Sequence, residues 1–175
     1  SVNTIADGTA VKTPGSNIFP YIKKNLDDII TVEDDELIVA FLDMVENHKM
    51  IVENSGLLTV AALKHLGVKD KRVVSILSGG NMDVITMSSV VQQGLIFRDR
   101  IFTVSVLLPD KPGELAKVSQ TLADVQGNVI KLEHNQFVTT NRSAAVELRI
   151  TLECFGTEHK EQIIAALEKK GYKPR

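Results

Sequence analysis

The sequence has no tryptophan, a single cysteine and no excess of charge of either sign. Its 20 lysine and arginine residues stand against 22 aspartate and glutamate residues. A surface balanced in this way argues against nucleic acid and membranes as partners. With Cys154 as its one cysteine, the chain can form neither an internal disulfide nor a cysteine metal site.

Long apolar runs are also missing. No run has the length of a membrane-spanning helix, and the first residues lack the order of a signal peptide. We therefore predict a cytoplasmic protein. The chain begins at Ser1 rather than at methionine, which suggests a processed or truncated start. At 175 residues with 43% hydrophobic side chains, it has room for one large domain or two small ones.

The first part of the chain, residues 1–97, predicts an α/β domain, because short apolar runs alternate with helical patterns. The runs that predict strands are 28–32, 50–52 and 73–77, and the patterns that predict helices are 37–45, 55–66 and 82–93. Thr31 and Asp34 resemble a capping box at the start of the first of these helices. Gly94 is expected to end the last one as its C-cap.

A short linker, 95–100, leads to a different pattern in residues 98–175. We expect the order β-α-β-β-α-β, a ferredoxin-like arrangement with both helices on one face of an antiparallel sheet. The strands are predicted at 101–108, 128–135, 144–153 and around Tyr172, and the helices at 114–126 and 158–170. A polar loop, 139–143, separates the two central strands.

Ser78-Gly79-Gly80-Asn81 is the first candidate for a binding site. It follows an apolar run typical of a strand buried on both faces, and open α/β sheets bind ligands at the carboxyl ends of such strands. Glycines allow a ligand to approach the backbone closely. The alternative is an ordinary turn between a strand and a helix. Taken alone, Glu53 could equally be a solvated residue at a helix start, and Asp7-Gly8 a simple turn.

Five blocks occur in an order that resembles one family. They are Thr4–Gly8, Asp27–Val32, Val52–Gly56, Leu77–Asp83 and Leu107–Gly113. Together they resemble the C-terminal part of the threonine and serine dehydratases, which are pyridoxal-phosphate enzymes of fold type II, related to tryptophan synthase β, here with one C-terminal ACT domain. The blocks extend over nearly the whole chain.

The resemblance implies pyridoxal phosphate as cofactor and a place for five residues around it. Ser78 would hydrogen-bond the pyridine nitrogen of the cofactor, and Gly79, Glu53, Asp7 and Gly8 would line its cleft. The complete enzyme would deaminate L-threonine or serine, giving 2-oxobutanoate or pyruvate and ammonia. The family's Ser-x-Lys-x-Arg lysine has no counterpart here, so we assign no catalytic residue to this chain and expect it to be inactive alone.

For residues 98–175 the resemblance implies an amino-acid effector and self-association through ACT domains. The turn at Asp110 and Gly113 would bind the effector, with Asn128 and the backbone of Ile130 closing the site. The N-terminus of the following helix suits a carboxylate, and Asp110 suits an ammonium group. Asp110 could instead only cap the helix. The four histidines show no clustering typical of a metal site.

Two other functions stay open. The chain could be a non-catalytic ACT sensor of amino acids, or a different α/β enzyme with a phosphate-bearing ligand at residues 78–81. The family includes enzymes of isoleucine biosynthesis, but the residues do not distinguish biosynthetic from catabolic enzymes, threonine from serine, or one effector from another.

Overall fold

The computed structural model describes residues 3–135 and 146–175. The chain divides into two compact units, Ser1–Gly94 and Leu95–Arg175. Among the described residues, no helix combines the length and the apolar character needed to cross a bilayer.

Helices, turns and extended segments build the first unit. Its helices are α1 Phe19–Asn25, α2 Asp34–Asp43, α3 Leu58–Ala61 and α4 Val84–Phe97, of which α4 continues past residue 94. A π-helical turn, Met44–His48, follows α2, and 3-10 turns form at Asp7–Thr9, Asn54–Leu57 and Ala62–His65. The helical run predicted at 55–66 is therefore present, although it mixes 3-10 and α geometry.

Helix α2 buries one apolar face, as its spacing predicts. Phe41 and Leu37 are almost fully inaccessible and centre the core of the unit. Its capping box was predicted two residues too early: the pair is Glu33 and Glu36, and Glu36 accepts the Glu33 N–H at 2.8 Å. Asp34 is used elsewhere, because its carboxylate accepts the Thr4 hydroxyl and, at 3.1 Å, the N–H of Ile5.

Gly94 lies inside helix α4 and does not end it, so the predicted C-cap is wrong. A Cβ atom on Gly94 would lie 3.3 Å from Cβ and Cδ2 of Leu42 on α2. The glycine therefore permits the two helices to approach closely, which is a packing role.

The strands predicted at 28–32, 50–52 and 73–77 are not formed in the described part of the first unit. Residues 71–80 have no regular secondary structure and pair with no strand among the described residues. Val74 and Ile76 are 89% and 70% exposed. The carbonyl oxygen of Ile76 accepts the hydroxyl of Thr59 at 3.0 Å, and the hydroxyl of Ser75 donates to the carbonyl oxygen of Thr59 at 3.5 Å. A β-branched run forms a sheet strand only where a neighbouring strand pairs with it, and none does here.

The second unit contains an antiparallel sheet with strand order β1-β3-β2. The strands are β1 Ile101–Leu108, β2 Asn128–Asn135 and β3 Val146–Glu153, and the helices are α5 Glu114–Asp124 and α6 Thr157–Lys169. Strand β3 pairs with β1 from Ile101↔Glu153 to Leu108↔Val146. The predicted loop 139–143 and the first two residues of the strand predicted at 144–153 lie outside the described residues.

Alternate residues of β1 and β3 face the two helices. This core contains Phe102, Val104, Val106, Leu108, Leu148, Ile150, Leu152, Cys154, Val118, Leu122, Ile163 and Leu167. The strand predicted around Tyr172 is reduced to one residue pair. Arg175 and Ser105 exchange two backbone hydrogen bonds of 3.0 and 2.9 Å, while Tyr172 packs against the core. The order of elements therefore agrees with the predicted ferredoxin-like fold.

Candidate cofactor and effector sites

Glu53 binds the segment that follows Ser78. Its backbone N–H donates to the carbonyl oxygen of Gly79 at 3.1 Å. Its carboxylate oxygen Oε2 accepts the backbone N–H of Asn81 at 3.2 Å. One residue therefore holds two points of the turn that the sequence singled out as a binding loop.

Two glycines make this contact possible. A Cβ atom on Gly79 would lie 2.1 Å from Oε1 of Glu53, so any side chain at residue 79 would push the Glu53 carboxylate out of its place. A Cβ atom on Gly56 would lie 3.2 and 3.3 Å from the backbone N and O of Gly79. The backbone at Gly79 therefore fits between the Glu53 carboxylate and the turn that contains Gly56.

Ser78 is exposed near the end of the irregular segment 71–80, directly before Gly79. Its hydroxyl lies on a backbone whose next residues are fixed by Glu53. The structure therefore places Glu53 against Gly79 and Asn81, the residues that follow Ser78, and the role of Ser78 at a cofactor stays a prediction.

Asp7 and Gly8 form a 3-10 turn that packs on the same region. The N–H of Gly8 donates to Oδ1 of Asp7 at 2.8 Å. A Cβ atom on Gly8 would lie 2.9 Å from Oγ of Ser55, so the two turns touch through this glycine. The side-chain amide of Asn54 donates to the carbonyl oxygen of Ile5 at 3.0 Å and connects the same two segments.

Asn54 and Ser55 were not singled out individually from the sequence. Asn54 is buried, and its Oδ1 atom and the Oγ atom of Ser55 are buried without a hydrogen-bond partner. Unpaired buried polar atoms are rare in folded proteins, and each one calls for an explanation such as a bound water, an ion or a catalytic role. Their place in the block Val52–Gly56 was the available signal.

A separate ion cluster lies between α2 and the turn after α3. The carboxylate of Glu36 contacts Nζ of Lys64 at 2.6 Å and Nε2 of His65 at 3.0 Å. The hydrogen bond from Lys64, helped by those from the Glu33 backbone and His65, lowers the pKa of Glu36 to about 2. None of the predicted site residues belongs to this cluster.

In the second unit, the turn between β1 and α5 encloses a small cavity. The cavity has a volume of about 280 Å³ and is lined by residues 108–115 together with His134 of β2. Gly113 takes a left-handed φ of 92° at the N-cap of α5, and no side chain in the described part of the chain caps this helix. The first N–H groups of such a helix lack partners within it. Asp110 is exposed beside them.

His134 is the lining residue that sequence reasoning missed, since an edge histidine gives no sign of which turn it meets.

Asn128 and Ile130 do not reach this turn within one chain. Both β1 and β2 run antiparallel to β3, so β1 and β2 point the same way. Asn128 begins β2, and its amide donates to Oε2 of Glu153 at 3.0 Å. The turn follows Leu108 at the other end of the sheet, roughly 20 Å away at the usual strand rise.

Metal binding has no support in the described ranges, where no group of three potential ligands comes together.

Two family matches divide the chain in the same way as the structure. Residues 1–79 match the family described as "Pyridoxal-phosphate dependent enzyme", and residues 102–171 match the ACT domain.

Curated relatives match both parts together. An L-threonine ammonia-lyase of Geobacter sulfurreducens is 37% identical over 171 residues, which are 97% of this chain and 42% of the relative. An L-threonine ammonia-lyase of Thermotoga maritima is 34% identical over 98% of this chain and 43% of its own length. The "L-threonine dehydratase biosynthetic IlvA" of Pasteurella multocida is 31% identical over 98% of this chain and 33% of its own length. The chain thus spans less than half the length of these relatives.

Among solved structures, the processed form of threonine deaminase isoform 2 from Solanum lycopersicum matches with a TM-score of 0.50 and 29% identity. The match covers 53% of this chain and 28% of the tomato chain. The chain thus combines a segment that matches the pyridoxal-phosphate dependent enzyme family, residues 1–79, with one that matches the ACT domain, residues 102–171.

Proposed function

We propose that this chain is part of a pyridoxal-phosphate-dependent threonine ammonia-lyase. Residues 1–97 would form one wall of its cofactor site, and residues 98–175 would bind an amino-acid effector. The observation that carries the proposal is that relatives named as this enzyme match 97% and 98% of the chain, across both parts. A cytoplasmic location stays a prediction.

The residues present fit one end of the cofactor. Ser78 offers an exposed hydroxyl on a fixed backbone, and it would hydrogen-bond the pyridine nitrogen. Gly79 leaves the backbone open for close approach, and the buried, unpaired Oγ of Ser55 lies beside the Gly8 turn. Pyridoxal phosphate would supply an electron sink that eases removal of the substrate α-proton. The chain's own residues would hold and orient the ring.

The chain alone should have no dehydratase activity, since none of its lysines lies in the Ser-x-Lys-x-Arg motif. The test is to add pyridoxal phosphate, reduce with borohydride, digest and locate labelled lysines by mass spectrometry. We expect only scattered, substoichiometric labelling. Stoichiometric labelling of one lysine would contradict the assignment of the catalytic lysine to another part of the enzyme.

Ser78→Ala in the longer enzyme tests the cofactor contact. Loss of the hydroxyl leaves the ring nitrogen without its partner, which costs about 1–3 kcal/mol. Turnover or cofactor affinity should fall by about ten- to a hundredfold. Ser75→Ala is the matched control, because Ser75 lies in the same segment and its hydroxyl donates to the Thr59 carbonyl oxygen at 3.5 Å. Equal effects of both changes would refute a specific role for Ser78.

The effector site is proposed at the turn of Asp110 and Gly113. The cavity of about 280 Å³ has room for an amino acid, and the uncapped start of α5 suits its carboxylate. Asp110 would accept hydrogen bonds from its ammonium group. Because Asn128 and Ile130 lie at the opposite end of the sheet, they could close the site only from a second copy. Ile130 is 53% exposed on the edge strand β2, and such edges commonly pair with another chain.

Calorimetry with isoleucine, valine, threonine and serine, combined with sedimentation, tests this site. We expect one of the four to bind to the self-associated chain and binding to be lost in Asp110→Ala. Asp124→Asn, at the far end of α5, is the control and should bind normally. Unchanged binding in both variants would place the effector elsewhere.

The alternative is a non-catalytic amino-acid sensor. It is favoured by one observation, that residues 102–171 match the ACT domain while no lysine of this sequence lies in a Ser-x-Lys-x-Arg motif. A natural gene product of about this length, without ammonia-lyase activity, would support it.

A further inference from the structure

We infer that Glu53 is a positioning residue, which fixes the backbone after Ser78 and does not itself touch the cofactor. The inference rests on the proposed function of Ser78 and changes the role that the sequence suggested for Glu53. The "Glu53 bracket" denotes Glu53, Gly56, Gly79 and Asn81.

Three groups of Glu53 face the binding loop. The N–H donates to the carbonyl oxygen of Gly79 at 3.1 Å, and Oε2 accepts the N–H of Asn81 at 3.2 Å. The remaining oxygen, Oε1, occupies the place where a Cβ atom of residue 79 would be, 2.1 Å from that ideal position. Both carboxylate oxygens therefore lie against the loop backbone, and the hydrogen bond of Oε2 goes to that backbone.

Gly56 completes the bracket. The space for a Cβ atom on Gly56 is bounded by Val52 Cγ1 at 2.9 Å and by the backbone N and O of Gly79 at 3.2 and 3.3 Å. The backbone of Gly79 thus has the Gly56 turn and the Glu53 carboxylate as its immediate neighbours. A Cβ atom at residue 56 would press on this backbone, and a Cβ atom at residue 79 would displace the Glu53 carboxylate.

Ser78 needs such a contact on its C-terminal side, because the Thr59 hydroxyl bond to Ile76 and the core packing of Leu77 both hold the segment before it. Residues 71–80 form no helix or strand, and Val74 and Ile76 of that segment are 89% and 70% exposed. Two consecutive glycines also give the loop many accessible conformations. A carboxylate is a strong acceptor for a backbone N–H, so Glu53 reduces this freedom at the residues next to the Ser78 hydroxyl.

The first test uses the 175-residue chain without cofactor and measures amide hydrogen exchange at Asn81 by NMR. Glu53→Ala removes a hydrogen bond to a charged acceptor, and the Asn81 amide should exchange about tenfold faster or more. Gly79→Ala should produce the same acceleration with Glu53 still present, because its Cβ atom displaces the carboxylate. Combining the two changes should add nothing further.

Two variants serve as controls. Gly80→Ala should leave the exchange unchanged, since a Cβ atom there would meet only the Ile51 carbonyl oxygen at an ordinary 3.7 Å. Glu53→Gln keeps an oxygen that can accept the Asn81 N–H, and should restore most of the protection. Unchanged Asn81 exchange in both Glu53→Ala and Gly79→Ala would overturn the inference.

The second test uses the longer enzyme with pyridoxal phosphate. A positioning role predicts that Glu53→Ala weakens cofactor affinity, that Glu53→Gln restores it, and that the pH dependence of cofactor absorbance is the same in Glu53→Gln and the wild type. A changed pH dependence in Glu53→Gln would show direct contact and refute the inference. The two proposals can fail separately. If hydrogen exchange at Asn81 responds as expected but the longer protein binds no pyridoxal phosphate, the proposed function is wrong. The inference that Glu53 fixes the backbone of residues 79–81 is then still supported.

Discussion

Removing the Asp99 carboxylate should loosen the second unit at the start of its sheet. The carboxylate accepts a hydrogen bond from Nζ of Lys160 at 2.6 Å and another from the hydroxyl of Thr157 at 2.9 Å. The thiol of Cys154 donates to the carbonyl oxygen of Asp99. The N–H of Cys154 donates to the carbonyl oxygen of Arg100 at 2.9 Å. Asp99 therefore joins the segment before β1 to the first turn of α6.

Two costs add in Asp99→Ala. Hydrogen bonds to a charged group contribute about 1.5–3 kcal/mol. The lower end applies, because the side chains of Asp99 and Lys160 are 25% and 33% exposed to solvent. Asp99 also has a φ of +51°, and alanine in that left-handed region costs about 1 kcal/mol more than aspartate, asparagine or glycine. We expect a total loss of about 2–3 kcal/mol for Ala, about 1.5 for Gly and about 1 for Asn.

The measurement is native-state hydrogen exchange of the Leu148 and Ile150 amides in β3, because these buried central residues report opening of the whole unit. The order Asn, then Gly, then Ala in increasing destabilisation is the expected result.

The hydrogen bond from Lys160 lowers the pKa of Asp99 below its ordinary 3.8. The carboxylate therefore stabilises the folded state above pH 3.8, and this contribution is lost as pH falls through the lower folded pKa. Equal destabilisation by Ala and Asn would refute the reasoning.

Three further predictions concern single side chains. Glu36→Gln should lower the melting temperature at neutral pH, and its difference from the wild type should disappear as pH falls from about 4.5 towards 2, because the Lys64 contact lowers the folded pKa of Glu36. His159→Leu should destabilise the second unit by about 2–3 kcal/mol in denaturant titrations, since the ring satisfies two backbone groups at 2.7 and 3.1 Å. Gly94→Ala should also destabilise, because overpacking costs about 1–3 kcal/mol against about 1 gained in helix propensity. The loss should shrink when Leu42 is replaced by Ala.

Much of the second unit could be predicted from the sequence, because burial there follows simple periodicity. Alternate residues such as Phe102 and Val104 enter one core, and glycines follow the helices. The last strand was overestimated because only one residue pair, Arg175 with Ser105, forms at the edge of β1. Hydrophobic periodicity predicts which face of the sheet a side chain lies on. It does not predict how many backbone hydrogen bonds a terminal segment forms with an edge strand.

The structure of the first unit was less predictable, because it depends on contacts between residues that are far apart in the sequence. Asp34 is predicted to belong to a capping box. Its carboxylate instead accepts a hydrogen bond from the hydroxyl of Thr4, 30 residues earlier in the chain. The run 73–77 has strong β propensity without a partner strand. Sequence blocks found Glu53 and Gly79 separately. Their contact depends on a fold that brings together residues as far apart as Glu53 and Asn81, 28 positions along the chain.

The most direct test of the proposed function is the formation of 2-oxobutanoate from L-threonine by the longer protein that contains this chain, assayed with and without pyridoxal phosphate. The account predicts turnover that requires the cofactor. A protein that binds amino acids through its ACT domain but turns over neither threonine nor serine, with the cofactor present, would contradict it.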